Sequence, residues 1–407
     1  MEKLNKIYTI LFSIFFATIP ITEHIQAIPN ILMLALIAFF LFVVKRDDWK
    51  KLDLKIMIAL LILIFIVLLG YFGNKRWEDF SFLKKLFIVP VIYILSIPIK
   101  NHRKPIYFFL FGSFSLLLGS LIKLSNYYLT NGKLNLDVGS EVNLLLLGER
   151  PFLGVIYLTS FCISIYSISQ FKNKKIKFGL AVLSVLFCGF ILFISARLSI
   201  VTLLLITLST LFYMKNKRKA ILLSSTGLVL LVIAGFLNPN FISRLTAGFE
   251  QDKFDFQKII QLEPRTHIWQ CSADIIKSGE VGFTGMGFRN TVIHLENCFA
   301  THDGFFNEGQ REFFLESKFN THNQFLGFYI GSGIFSLLSF IALFIILFQS
   351  NYRNQFAFSL VLIIFFFCVF ENVFNRQLGV MLFGVVIYIL SAVNSHKNQK
   401  SISAHSE

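Results

Sequence analysis

The chain has 407 residues, 55% of them hydrophobic and only 15% charged, with 50 phenylalanines; soluble domains run near 25% charged, roughly. Apolar runs long enough to cross a hydrocarbon core of about 30 Å as helix recur throughout, which excludes a soluble globular protein and indicates a multi-pass membrane protein. The formal net charge of +15 is spread over alternate short loops and forms no compact basic domain, so it speaks for membrane topology and against nucleic-acid binding.

Hydropathy predicts about twelve spans, at 7–22, 28–44, 54–73, 83–99, 105–124, 152–170, 177–195, 198–214, 220–237, 324–349, 356–370 and 377–394. The expected fold is an all-α polytopic membrane protein, a single membrane domain over 1–407 with a large insert at 238–321 between the ninth and tenth spans. The first apolar stretch follows Lys3 and Lys6 but lacks a convincing cleavage site, so it reads as a retained helix. Cations then collect at Lys45, Arg46, Lys50, Lys51 and Lys55, at Lys100, Arg103 and Lys104, and at Lys172, Lys174, Lys175 and Lys177. Lys215, Lys217, Arg218, Lys219, Arg353, Lys397 and Lys400 continue the pattern. With these inside, both termini are cytoplasmic and the insert is extracytoplasmic. Lys75, Arg76, Lys84 and Lys85 fall on the outer side against this rule. Either the third and fourth spans are misplaced, or the loop is tolerated, or these cations meet an anionic ligand.

Two outer segments exceed short-loop geometry: 125–151, with Asn126, Tyr127, Tyr128 and Asp137, and the insert itself. In the insert, Pro264 precedes Arg265-Thr266-His267-Ile268-Trp269, and apolar residues recur at 268, 269, 272/273, 275 and 276. That spacing predicts an amphipathic helix at the membrane surface, ending at Ser278-Gly279 before a turn with Gly282, Gly285 and Gly287. Cys271 and Cys298 share this outer segment, where an oxidising compartment would permit a disulfide; the alternative is two packed thiols. Cys162, Cys188 and Cys368 lie in predicted spans.

Chemistry belongs on this outer face, because hydrocarbon-embedded segments tolerate few polar side chains. Arg197, in Ser195-Ala196-Arg197, is forced to the outer boundary by a tight hairpin, where it either snorkels to headgroups or binds an anion. Arg265 opens the amphipathic helix, so its planar fork and the helix N-terminus both favour an anion; a solvated helix-start residue is the plainer reading. His322 opens the tenth span, where an imidazole can accept a proton or merely cap and pack. Asn323 and Gln324 beside it can orient a hydroxyl or the imidazole. His302 with Asp303, and His267 with His294, are further polar pairs, but no HxxxH or CxxC spacing argues for a metal. One imidazole and two guanidiniums suit a reaction in which a pyrophosphate leaves while a hydroxyl attacks, with membrane helices holding a polyprenyl tail.

These residues resemble the bacterial O-antigen ligases and the related O-antigen polymerases. The resemblance rests on the span pattern with its large insert and on Arg197 in SAR. It rests also on an R-x-x-x-W element from Arg265 to Trp269 with Gly285 and Gly287 after it, and on His-Asn-Gln-x-Leu from His322 to Leu326 followed by Gly331-Ser332-Gly333. Arg150-Pro151 with Gly154 is similar to the family's element before the sixth span. The family's pattern departs at the long 289–321 stretch and at GFTGMG in place of a regular GxGxG. The resemblance implies a GT-C-like, inverting, metal-independent glycosyltransferase of the bacterial inner membrane, with a periplasmic active site and no cofactor. It would move a glycan from undecaprenyl pyrophosphate to lipid A–core oligosaccharide. Arg197 and Arg265 would bind the pyrophosphate, His322 would be the base, and Arg150, Trp269, Asn323 and Gln324 would contact substrate, with the insert as a lid. A polymerase or a protein-glycosylating enzyme would use the same donor. A polysaccharide or lipid transporter, the reading from another class, predicts ionisable groups near the bilayer midplane, whereas here the span interiors are almost bare of charge.

Overall fold

The computed structural model describes residues 2–132, 145–236, 249–250, 253–254, 263–302, 304–305 and 307–404. Asp137, Asp303 and most of 237–262 lie outside the described residues. In chain order the helices are α1 (Glu2–Thr18), α2 (Ala27–Val43), α3 (Leu54–Gly73), α4 (Phe80–Leu86), α5 (Ile88–Leu95) and α6 (Arg103–Asn131), then α7 (Arg150–Gln170), α8 (Lys174–Phe193), α9 (Arg197–Tyr213) and α10 (Lys217–Phe236). The insert holds α11 (Pro264–Lys277), α12 (Phe288–Thr301) and α13 (Glu308–Ser317), followed by α14 (Gln324–Ser332), α15 (Ile334–Asn351), α16 (Gln355–Phe370) and α17 (Gln377–Ala404). A two-residue antiparallel pairing, Phe249–Glu250 with Lys253–Phe254, is the strand content among the described residues.

The chain is a multi-pass helical membrane protein by its composition and helices. Six described helices are long and apolar enough to cross a membrane, namely α3, α6, α7, α8, α15 and the Gln377–Asn394 part of α17; α2, α9 and α16 are shorter apolar helices. The last span sits at the centre, 83% of its window buried, and α8 at the edge, 22% buried. Contacts sort the loops into two faces. On one, Tyr213 Oη donates to Tyr352 O (2.6 Å), Asn394 Nδ2 to Asn351 Oδ1 (3.2 Å) and Lys51 Nζ to Ile97 O (3.3 Å). On the other, residues 74–79, the insert and 371–376 meet one another.

Two expected spans are not continuous helices. The stretch 83–99 is divided between α4 and α5 at Phe87, and 324–349 breaks at Gly333. Gly333 has φ +86°, and a Cβ there would lie 1.8 Å from Phe283 O, so the break depends on glycine and on the insert's 283–287 loop pressing against it. That loop pairs its backbone with the end of α14: Met286 N donates to Ile330 O (2.8 Å) and Gly287 N to Gly331 O (2.9 Å). Apolar content alone does not reveal such a break, because both halves are greasy.

Two of the four cations at 75–85 also find an account here. Arg76 donates to Thr284 O (2.8 Å), to Gly331 O (3.2 Å) and to Gly285 O, and Lys85 donates to Asn375 O. Asp79 accepts from Phe288 N (3.0 Å) and Arg289 N (2.8 Å), closing the open N-terminus of α12. The loop therefore staples α3 to the insert, and Arg76 and Lys85 are tied to backbone carbonyls.

The amphipathic helix α11 matches expectation in position, with Pro264 at its first turn, but not in surroundings. Its buried face, Ile268, Cys271 and Ile275, packs with Leu295, Phe299, Phe314 and Ile330 in a small core separate from that of the bundle. The apolar stripe is satisfied by neighbouring insert helices and so needs no lipid surface. Cys271 and Cys298 form a disulfide linking α11 to α12.

Candidate active site

Four local structures bring the predicted residues to one place. The α8–α9 hairpin turns on Ser195 in the left-handed region (φ +51°), with Ala196 N donating to Ile191 O, and so sets Arg197 at the first position of α9. Gly154 lets α7 press against this hairpin, since a Cβ there would meet Ser199 Oγ at 2.4 Å. Arg265 follows Pro264 at the start of α11. His322 precedes the N-cap of α14, where Asn323 accepts from Leu326 N (3.0 Å).

A continuous chain of charge contacts joins them. Arg197 meets Glu263 at 3.1 Å, and Glu263's other oxygen meets Arg265 at 3.1 Å. Arg265 then reaches Glu371 at 2.7 Å, and the second oxygen of Glu371 lies 3.0 Å from His322 Nδ1. Arg265 Nε also donates to Phe370 O (3.2 Å). Arg197 is half exposed, whereas the side chain of Glu371 is only 9% exposed. Burial works to raise the Glu371 carboxyl, but His322 and Arg265 outweigh it and hold the group below the ordinary carboxylate range. Burial likewise works against the Arg265 charge, and Glu371 with Glu263 overcomes it and raises that group further.

Because an ionised carboxylate only accepts, Nδ1 of His322 is the donor to Glu371, and in the neutral tautomer that bond selects, Nε2 is the acceptor. The backbone at His322 is itself unusual, with φ +41°. Such a conformation persists when its surroundings over-determine it, and they do. His322 N donates to Asn320 Oδ1 (2.9 Å), Thr321 O accepts from Trp269 Nε1 (3.1 Å), and Thr321 Oγ1 accepts from Asn372 Nδ2 (2.9 Å). Asn323 N donates to Asn372 Oδ1 (2.6 Å) and Phe374 N to Gln324 Oε1 (2.8 Å). Residues 321–324 are thus zipped to residues 371–374.

The structure brings Arg197, Arg265 and His322 together, while Trp269, Asn323 and Gln324 bond backbone groups at residues 321, 326 and 374 beside them. Gln324 is wholly buried, with Oε1 accepting from Phe374 N, and half-buried Asn323 uses its side-chain oxygen for the helix cap. Arg150 opens α7 next to Glu149, which pairs with Arg376 (2.6 Å). Arg376 also reaches Glu23 (3.6 Å) and lies 5.1 Å over the Phe152 ring. This second charged group shares the 371–376 loop with Glu371. Glu371, Glu263 and Asn372 escaped the sequence reading. A signal existed for Glu371, since it and Arg376 are the only charged residues between 354 and 396, and a lone acid between two spans asks for a partner.

These features describe a polytopic membrane protein with an imidazole, a buried carboxylate and two guanidiniums gathered on one face. Residues 182–341 match the model of the O-antigen ligase family. The matched segment includes Arg197, Arg265 and His322 and stops before Glu371. Comparison with curated proteins finds no match.

Proposed function

We propose that the protein is a glycosyltransferase that moves a glycan from undecaprenyl pyrophosphate to lipid A–core oligosaccharide at the periplasmic face of the bacterial inner membrane. The observation that carries this reading is the unbroken chain Arg197–Glu263–Arg265–Glu371–His322. It unites anion-binding forks with a base already oriented by a buried acid, the same logic by which a carboxylate orients histidine in hydrolytic triads. In the proposed reaction the acceptor oxygen attacks the anomeric carbon while His322 Nε2 takes its proton. The anomeric carbon–oxygen bond to phosphate breaks, and the polyprenyl pyrophosphate leaves with the electron pair. Arg197 and Arg265 offset its charge by bidentate contacts, and Glu371 stabilises the imidazolium that forms. A single displacement inverts the anomeric centre. The cation-rich loops lie on the face opposite the site, which supports the periplasmic orientation.

The polymerase reading uses the same donor and differs in the hydroxyl presented. Purified protein in detergent, given carrier-linked glycan and lipid A–core without any ion gradient, should yield glycosylated lipid A–core, and His322→Ala should abolish it. Product only on the carrier lipid would assign a polymerase. No transfer by active membrane preparations, with gradient-dependent flipping instead, would assign a transporter.

A further inference from the structure

The insert contains a second cluster away from the charge chain. His267 and Cys271 lie one turn apart on α11, Cys298 and His302 one turn apart at the end of α12, so H-x3-C and C-x3-H pairs each line one helix face. The ligand atoms of Cys271, Cys298 and His302 all lie within 4.8 Å of one another. His267 Nδ1 is 3.4 Å from His302 Nε2. In tetrahedral zinc sites Zn–N is about 2.0–2.1 Å and Zn–S about 2.3 Å, which makes the N–N edge about 3.3–3.4 Å and the S–S edge about 3.8 Å. The two imidazoles already stand at the metal's own spacing. The disulfide must open and the His267 ring must swing toward the sulfurs for all four donors to converge. Gly304 packs directly on the His302 ring, since a Cβ there would fall 2.5 Å from Nε2. An open basin lined by Asp274, Glu280 and His294 leads to the cluster.

We propose that His267, Cys271, Cys298 and His302 form a zinc site that alternates with the disulfide. Two thiolates and two imidazoles in tetrahedral array are the donor set that selects zinc among common divalent ions. A dithiol reductant opens the site: its two thiols become a disulfide, delivering two electrons and two protons to the Cys271–Cys298 bond. Zinc then binds both sulfurs as thiolates and releases those two protons. Either linkage ties α11 to α12, so the helix that begins with Pro264-Arg265 stays clamped in both redox states. This site is independent of the reaction proposed above.

The test uses full-length protein in detergent, reduced with a dithiol, desalted anaerobically and titrated with Co²⁺ and then Zn²⁺. The reduced wild type should give the intense visible bands of tetrahedral Co²⁺ with sulfur ligands, saturating at one equivalent and displaced by Zn²⁺. Oxidised wild type should give none, a contrast that requires no variant to fold. Cys298→Ser and His302→Ala should lose the tetrahedral bands, while the thiols Cys162, Cys188 and Cys368 remain in every sample as internal controls. Octahedral bands alone in the reduced wild type, or tetrahedral bands undiminished in His302→Ala or His267→Ala, would overturn the proposal.

Discussion

Glu371→Gln is the sharpest test of the site, because the residue is buried, nearly isosteric with its replacement, and bonded on each oxygen to a different functional group. The carboxylate holds Arg265 at 2.7 Å and His322 Nδ1 at 3.0 Å. Glutamine retains one acceptor and presents an amide donor on the other side. If the amide faces His322, the imidazole must turn its proton to Nε2 and can no longer act as base. Losing the orienting acid of a histidine base costs about 10²–10⁴ in rate, or about 3–5.5 kcal/mol of barrier. Arg265 keeps Glu263 and Phe370 O and exchanges a charged acceptor for a neutral one, which adds a stability loss on the order of 1–3 kcal/mol. Transfer should be followed at saturating donor and acceptor, alongside a thermal unfolding scan in detergent, so that loss of protein is separated from loss of turnover. Glu371→Asp, which keeps the charge on a shorter arm, should recover part of the rate. A folded Glu371→Gln protein turning over at the wild-type rate would refute the assignment of the acid and weaken that of His322 with it.

Four further outcomes follow from the same geometry. Glu263 occupies the two guanidiniums that the donor's phosphates would need, so Glu263→Gln should lower the donor KM. At about 0.2–1 kcal/mol for each partly exposed pair the effect is about twofold to thirtyfold, and an unchanged or higher KM would remove Glu263 from this competition. Arg76→Ala should cost about 1.5–3 kcal/mol of stability by freeing carbonyls of 284, 285 and 331; it should be read as faster proteolytic cleavage near the 282–287 turn, and an unaltered cleavage rate would count against the staple. Gly333→Ala meets both a positive φ and Phe283 O and should prevent the insert from docking, detectable as loss of folded protein on size exclusion. Finally, the folded-state pKa of Glu371 is depressed from its ordinary 4.5. Its stability contribution is therefore complete above that value and lost as pH falls through the depressed one. Thermal scans between about pH 6 and 3 should show an acid limb in the wild type that is reduced in Glu371→Gln.

Much of the scaffold was legible because hydropathy is a one-dimensional signal: a span is recognised from its own residues. The hairpin that carries Arg197 and the proline-started helix that carries Arg265 were legible for the same reason, each being specified within about ten residues. What was hidden depends on distant partners. Glu371 looks like loop until residue 322 is placed 3.0 Å from it. The break at Gly333 follows from a loop about fifty residues earlier, and the bonds of Asn323 N and the Gln324 side chain to Asn372 and Phe374 appear only once the 371–374 segment is placed. Cations 76 and 85 violated a topology rule that counts charge without asking which carbonyls it serves. Local patterning thus located the face and three of its groups, while the acid that orients the imidazole emerged only from packing.

The helix α14 belongs to two interiors at once: Phe328 is buried in the bundle and Ile330 in the insert. Phe288, at the head of α12, stacks on Phe82 of α4 with ring centres 3.7 Å apart. A cover riveted at both of these points does not swing like a flap, since lifting it would strip two cores of aromatic contacts. On the function proposed above, reactants would therefore arrive edgewise. The greasy donor would slide in between helices from the lipid, and the bulky acceptor would approach from the solvent margin, around a roof pinned to the bundle at Phe288 and α14.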